Sequence, residues 1–429
     1  MTRTWQLLGQ YSNYTFYSGV YSTMRSTRAP FARSRGRRLA LAATGLAATL
    51  ALTATACGPS DDKASDKPGS GASKGTDKGS DTDTGSDAKL PGDIADKLKD
   101  HGIDPDKWKD GAWKNWDKDD WLRESKDFVN PVIDGLWKPE RMKKAKDPNK
   151  TIAAKDAAAD QGATDPEPSP VQAKREKTPY HENAAPVGKI FFDSPEGSMV
   201  CSGTVVTDPR NPGKSNLVWT AGHCVHAGSA GGWYRNITFV PAYNDLGKSE
   251  SELSNAAPQE VAPYGQYWAD WVSTSAEWID QGAASGGAGA PYDYAVMHVK
   301  PKQGAKSLEE TVGNALDVDF STPSTQSVSS MGAWGYPAAP PYDGQIMHKC
   351  IDKPGRLSLT SAQPTMYRIG CTMTGGSSGG GWFRMVGDKT RLVSNTSIGP
   401  AENTWLAGPQ LGEGAEQVYD MMSEKYGSQ

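Results

Sequence analysis

The chain has 429 residues, a net charge of −4 and 22% charged side chains, room on length alone for roughly two or three domains. That balance, with no dense basic stripe in the second half, argues against a nucleic-acid binder. Six histidines, His101, His181, His223, His226, His298 and His348, compete for proton-transfer roles, and the five cysteines are Cys57, Cys201, Cys224, Cys350 and Cys371. An odd cysteine count flags one thiol without a disulfide partner.

In chain order, Arg33, Arg35, Arg37 and Arg38 precede an uncharged run from Leu39 to Ala56 that ends at Cys57-Gly58. A positive stretch, an apolar stretch and small residues before a cysteine resemble a bacterial lipoprotein signal. The resemblance implies that Cys57 is lipidated and forms the mature N-terminus, which accounts for the odd cysteine. Ala54 departs from the leucine usual at that place, and an ordinary secretory signal or a single membrane anchor is the alternative. Arg37-Arg38 hints at twin-arginine export, without support from the residues after it. Met24 opens a more conventional signal, so the 23 residues before it read as a mis-assigned start. Residues 1–57 are thus an N-terminal extension and signal peptide.

Residues 58–92 are Asp, Lys, Gly, Ser and Thr with almost no large apolar side chain. Such a segment cannot offset its ordering entropy and is expected to be a disordered tether. Residues 93–178 begin differently: Leu98, Trp108, Trp113, Trp116, Trp121, Leu122, Phe128, Ile133, Leu136 and Trp137 recur among charges, which predicts short amphipathic helices. This stretch reads equally as a pro-segment or as an accessory module. Its end, residues 146–178, returns to Ala, Asp, Lys and Pro and reads as linker.

From residue 179 to 429 the texture is β. Val187 to Phe192, Met199 to Val206, Leu217 to Thr220, Ile237 to Pro241, Tyr294 to Val299, Ser327 to Tyr336 and Leu392 to Ile398 are short apolar or alternating runs divided by Gly, Pro, Asn and Asp. Many short strands with turn signals predict an all-β sandwich or barrel. Ala415 to Tyr426 is expected to be helical, with Val418, Met421, Met422 and Tyr426 on one face.

Three stretches carry chemistry. Thr220-Ala221-Gly222-His223-Cys224 follows an apolar run, and imidazole is the side chain best matched to proton transfer near neutral pH. Tyr292-Asp293-Tyr294-Ala295-Val296 puts one carboxylate at the mouth of an apolar strand, where it can orient an imidazole or simply cap a turn. Gly375-Gly376-Ser377-Ser378-Gly379-Gly380-Gly381 surrounds a serine with glycines. A nucleophilic serine needs a base for its proton and N–H groups for the oxyanion, and glycines allow both to approach. A flexible Gly/Ser loop is the plain alternative. His223-Cys224-Val225-His226 could also be taken as a metal site, although nothing like a zinc ligand set follows it.

In the order His223, Asp293, Ser378, with Cys201-Ser202-Gly203-Thr204-Val205-Val206 ahead of them, these stretches resemble the chymotrypsin-type (trypsin-like) serine proteases, nearest the bacterial glutamyl-endopeptidase branch. The resemblance spans roughly residues 185–427 and implies two packed six-stranded antiparallel β-barrels with the cleft between them. It implies His223 as general base and acid, Asp293 as its orienting carboxylate and Ser378 as nucleophile. The N–H groups of Gly376 and Ser378 become the oxyanion hole. It implies protein or peptide substrates, no cofactor, no metal and a monomer. It also implies Cys201–Cys224 and Cys350–Cys371 bridges, each closing a loop of about twenty residues and contributing ~3 kcal/mol; the sequence alone leaves other pairings open.

Two departures matter. Animal members have an aspartate before the nucleophile that receives a new N-terminus on activation, and here that residue is Ser377. Relatives specific for Lys or Arg carry an acidic group near Thr372, and those specific for Glu carry a histidine near Thr396. With Thr372, Met373, Thr396, Ser397 and Gly399 as the substrate-binding set, the pocket is neutral and cleavage after uncharged side chains is expected. The sequence thus reads as an exported serine endopeptidase, on the outer face of the membrane through its lipid anchor or secreted after processing. The competing function is a catalytically silent protease-fold surface protein that binds partners.

Overall fold

The computed structural model describes residues 92–117, 121–148, 150–157, 163–283, 285, 287–300 and 306–426. The signal peptide, Cys57 and the tether up to residue 91 lie outside the described residues. The Trp-rich segment begins with helices Gly92–Asp100 and Pro105–Lys109, continues through 3-10 turns Ala112–Lys114 and Ser125–Asp127, and ends in helix Pro139–Lys144. Leu98, Trp108, Trp113 and Val129 form a small apolar cluster of their own. Two short strands follow, β1 (Thr151–Ile152) and β2 (Lys174–Arg175).

Six strands then close into an antiparallel barrel: β3 (Val187–Ser194), β4 (Gly197–Val206), β5 (Leu217–Thr220), β6 (Arg235–Pro241), β7 (Tyr267–Thr274) and β8 (Ala295–Lys300), in the order β3-β4-β5-β8-β7-β6. Both faces of these strands are buried, which is why they read as near-continuous apolar runs rather than clean alternations. The period of two survives as a division of labour. Ile190, Phe192, Val218, Met297 and Val299 fill the barrel interior. Phe191, Leu217, Trp219 and Val296 point out into a second cluster with Trp334, Phe383 and the C-terminal helix.

The barrel is not finished by its own strands. β6 and β7 pair only at Thr238–Trp268 and Phe239–Tyr267. Beyond those pairs Asn130, from the Trp-rich segment, stands between them: its Nδ2 donates to the Ile237 carbonyl (2.9 Å) and the Ala269 carbonyl (2.8 Å), and its Oδ1 accepts from Ile237 N–H (2.9 Å). Phe128 beside it is packed into the barrel interior. Trp137 Nε1 donates to Asn236 O, and Trp233 N–H donates to Leu122 O.

The remaining strands are β9 (Asp317–Val318), β10 (Met331–Gly335), β11 (His348–Asp352), β12 (Gly355–Leu357), β13 (Met366–Gly370), β14 (Gly381–Val386), β15 (Lys389–Asn395), β16 (Gly399–Pro400) and β17 (Trp405–Pro409). With β1 and β2 they form an open sheet β2-β11-β10-β14-β15-β9, a three-stranded sheet β12-β13-β17 and a parallel pair β1-β16. One closed barrel is thus present among the described residues, and the second closed six-stranded barrel that was expected is not shown. The seams between those sheets are joined by side chains instead of ladders. Gly370 N–H donates to Asp352 Oδ2 (2.9 Å), the Cys350–Cys371 disulfide spans 5.5 Å between Cα atoms, and Ser394 Oγ donates to Pro409 O (2.7 Å).

Two further expectations change. The described residues of 146–178 do not lie apart as a linker: β2 extends the open sheet, and Glu176 is buried between Trp334 Nε1 (2.5 Å) and Lys349 Nζ (2.9 Å). Composition misses this because backbone pairing, a few charges and scattered apolar residues such as Ile152 hold the segment, not an apolar run. In helix Glu413–Tyr426 the buried face is Ala415, Val418, Tyr419, Met422 and Tyr426, while Met421 is 48% exposed, one position off the stripe.

Candidate active site

β5 ends at Thr220 and the chain enters a 3-10 turn, Gly222–Cys224. Cys224 is bonded to Cys201 on β4, with 6.0 Å between Cα atoms, so the turn is tied back to its neighbouring strand. Gly222 is needed for close packing: a Cβ there would lie 2.7 Å from Thr274 Oγ1 and 2.8 Å from the Trp278 ring.

This turn brings His223 onto Asp293, which follows the 3-10 turn Ala290–Tyr292 at the entrance of β8. The two carboxylate oxygens are both used: Oδ1 accepts the His223 backbone N–H (2.8 Å) and Oδ2 contacts His223 Nδ1 (2.7 Å). Because Nδ1 faces a carboxylate, we assign the ring proton to Nδ1, which leaves Nε2 as the acceptor. Nε2 is buried and has no hydrogen-bond partner among the described residues.

Asp293 is fully buried, and burial opposes its ionisation. The neighbouring His223 and its hydrogen bond, the Lys150 ammonium and the Ser397 hydroxyl outweigh that and hold the carboxyl below its ordinary value. Ser397 Oγ donates to Oδ2 at 2.5 Å. Asn395 Nδ2 donates to the Asp293 carbonyl (2.9 Å) while its Oδ1 accepts from Trp219 Nε1 (3.0 Å), linking β15 to the barrel. A ring–carboxylate bond is not distinctive by itself, since His181 contacts Asp245 in the same two ways. What separates His223 is its buried, unpartnered Nε2 and a serine turn tied to β4, the strand its own turn is disulfide-bonded to.

That turn is held from three sides. The carbonyls of Gly375, Gly376 and Ser377 accept from Ala338 N–H (2.6 Å), Ser202 Oγ (2.9 Å) and Gly380 N–H (3.0 Å). In a trans peptide the N–H points opposite to the carbonyl, so the N–H groups of Gly376 and Ser378 face away from those donors. Ser202 N–H donates to Ser378 O (2.7 Å), and Gly379 N–H donates to Thr396 O (2.8 Å). Gly376 and Gly379 have φ of +93° and +75°, the left-handed region where L side chains are strained.

At Gly379 a Cβ would also lie 2.1 Å from Thr220 Oγ1 and 2.6 Å from Ser202 O. Strain and clash together are expected to make Gly379→Val destabilising by about 3–5 kcal/mol. That corresponds to a fall in melting temperature of roughly 10 °C by calorimetry. A midpoint unchanged within the scatter of repeat scans would show that this turn does not seat against β4.

Ser378 borders a cavity of about 300 Å³. Met373, Thr396, Ser397 and Gly399 line it; Thr372 does not. The Thr372 hydroxyl instead accepts from Ala173 N–H (2.9 Å) and meets Tyr342 Oη (3.2 Å), and its backbone N–H donates to Val171 O (3.0 Å), so it faces the segment leading into β2. Thr396 Oγ1 accepts from Trp382 Nε1 (2.9 Å). Both charged residues at the cavity, Asp147 and Lys150, come from the stretch that had read as linker.

The metal reading of His223 to His226 lacks donors: Cys224 is in a disulfide, His226 Nδ1 accepts from Gly228 N–H (3.0 Å), and Nε2 contacts Arg123 O (3.1 Å). Burial holds the His226 imidazole down to about 4. Sequence reasoning quoted Ser202 inside a motif without giving it a role, placed Ser397 with the substrate rather than with Asp293, and did not single out Asn395, Trp278 or Lys150.

No protein-family model matches the chain, and no curated protein matches it. Among solved structures it is similar to a thermostable serine protease, AL20, from an extremophilic microorganism, at 32% identity over 56% of this chain and 98% of that one, with a TM-score of 0.46. The protease Anisep from Arthrobacter nicotinovorans is 30% identical over 58% of this chain and 99% of its own, also with a TM-score of 0.46. A Glu endopeptidase in complex with MPD is 15% identical over 61% and 100%, with a TM-score of 0.43.

Proposed function

We propose that this chain is an exported serine endopeptidase that cleaves peptide bonds through an acyl-enzyme. The observation that carries the reading is Asp293, buried and using both oxygens to hold His223, with Nε2 left unpartnered and the serine turn tied to β4, the strand that the Cys201–Cys224 disulfide joins to the His223 turn. Ser378 Oγ attacks the substrate carbonyl carbon and its proton passes to His223 Nε2. The N–H groups of Gly376 and Ser378 receive the oxyanion. As the tetrahedral intermediate collapses, the C–N bond breaks and His223 returns the proton to the leaving amine. Water then attacks the acyl carbon and gives its proton to His223; the bond between that carbon and Ser378 Oγ breaks, His223 returns the proton to Oγ, and the acid leaves.

Substrates are proteins or peptides, and cleavage follows uncharged side chains, because within residues 179–426 the cavity is lined by Met373, Thr374, Thr396, Asn403, Leu406 and other uncharged groups. The two disulfides fit an oxidising, extracellular setting. Among the described residues no helix is long and apolar enough to cross a membrane. Attachment by a lipid on Cys57 and work as a monomer complete the proposal.

Treatment with an organofluorophosphonate followed by peptide mapping is expected to place the adduct on Ser378, and digestion of a casein peptide mixture to give ends bearing uncharged side chains. An adduct on a residue other than Ser378 removes the endopeptidase reading. Ends dominated by Lys, Arg or Glu remove the neutral pocket alone.

A further inference from the structure

The stretch 146–157 lies in the cleft. Lys146 N–H donates to Ser198 O (2.9 Å), and its carbonyl accepts from Val200 N–H (2.8 Å). The Asp147 carboxylate rests on the serine turn, where a Cβ on Gly375 would come 2.1 Å from its Oδ2. β1 then pairs with β16 in parallel, Thr151 opposite Gly399 and Ile152 opposite Pro400. Thr151, Gly399 and Pro400 belong to the cavity wall beside Ser378, so the stretch closes one side of that cavity and takes the strand edge that an extended peptide would use. With it in place Ser378 is 3% and His223 4% exposed.

We infer that the described residues of 146–157 are a built-in competitive strap that keeps the full chain latent by holding the strand edge its substrate would use; the inference rests on the endopeptidase reading. Lys150 is the sharpest sign of this. Its ammonium sits 4.6 Å over the Trp278 ring, Trp278 flanks His223 at 6.2 Å between ring centres, and Nζ is buried with no hydrogen-bond partner among the described residues. A strap that served packing alone would gain from an apolar residue there, because a buried, unpartnered amine is costly. Burial lowers the group to about 8 against the pull of Asp293. A cation placed there competes for the carboxylate and disfavours the imidazolium that catalysis must form. Ile152 is the anchor: it is 1% exposed, packed with Leu357, Met366, Ile398 and Trp405.

The test uses the full chain and two substitutions. Ile152→Asp puts a carboxylate into that apolar cluster and expels the strap; Lys150→Ala removes only the amine and serves if the first variant fails to fold. Casein hydrolysis and organofluorophosphonate labelling are expected to speed up at least tenfold in Ile152→Asp and by a smaller factor in Lys150→Ala. A synthetic peptide of residues 146–157 is expected to slow the opened variant again. Equal, Ser378-dependent rates in wild type and both variants overturn the strap and leave the endopeptidase reading standing. Folded variants that neither hydrolyse nor label overturn that reading, and the strap with it.

Discussion

Ser378→Ala is expected to lower kcat by about 10⁶-fold in the opened Ile152→Asp background, with casein-derived peptides as substrate. Replacing His223 by alanine is expected to cost nearly as much, and the double change hardly more, because nucleophile and base act as one unit. A residual rate of roughly 10³–10⁴ over water should survive from the oxyanion donors and binding. The N–H groups of Gly376 and Ser378 are set by carbonyls tied to Ala338, Ser202 and Gly380, none of which the alanine disturbs. Steady-state kinetics of the three variants settle the point. A Ser378→Ala enzyme within tenfold of its parent would move the nucleophile elsewhere, and strictly multiplying losses would break the Ser378–His223 unit.

Asp293→Asn is the second large effect, a fall of about 10⁴-fold in kcat with the shape of the site intact. The carboxylate now accepts three hydrogen bonds, from His223 N–H, His223 Nδ1–H and Ser397 Oγ. An amide can accept on one side only and presents two donors on the other. Whichever way it turns, some donor meets a donor, and the cheapest relief is to move the imidazole proton from Nδ1 to Nε2. Nε2 then cannot take the serine proton.

The acid stability of the two proteins should diverge as well. A carboxyl held below its ordinary value adds stability that is fully present above the unfolded value and disappears as pH falls through the folded one. The asparagine variant lacks that dependence, so its stability deficit relative to wild type shrinks as pH drops below about 4. Wild-type kcat in Asp293→Asn, or parallel acid-denaturation curves, would contradict the assignment of the carboxylate.

Much of the site can be read from the chain because its chemistry sits in local patterns. His223 and Ser378 stand in short runs whose neighbours have a physical reason to be there, glycine above all. The barrel strands show as apolar runs because both their faces are covered. What the sequence hides is carried by distance. Ser202, 176 positions before Ser378, holds the serine turn by one backbone and one side-chain bond. Asn395 links Asp293 to Trp219 across the two halves. Neither can be told from an ordinary strand residue without its partners. The open second half is hidden for the same reason: Asp352 and Ser394 close seams that a strand count assigns to ladders. Lys150 is invisible because a lysine among Ala, Asp and Pro reads as solvated, and only tertiary structure desolvates it.

Asn130 carries a consequence for the life of the protein. Three buried backbone groups of the barrel, the Ile237 N–H and the Ile237 and Ala269 carbonyls, are satisfied by that one side chain. Losing the piece that bears it would leave them unpaired, at about 1–3 kcal/mol each. At its far end the same arm is woven into the open sheet through β2 and Glu176. A cut within the strap would therefore free the cleft without shedding either flank. The ripened molecule would travel as two polypeptides in one particle, separable by denaturant but not by dilution.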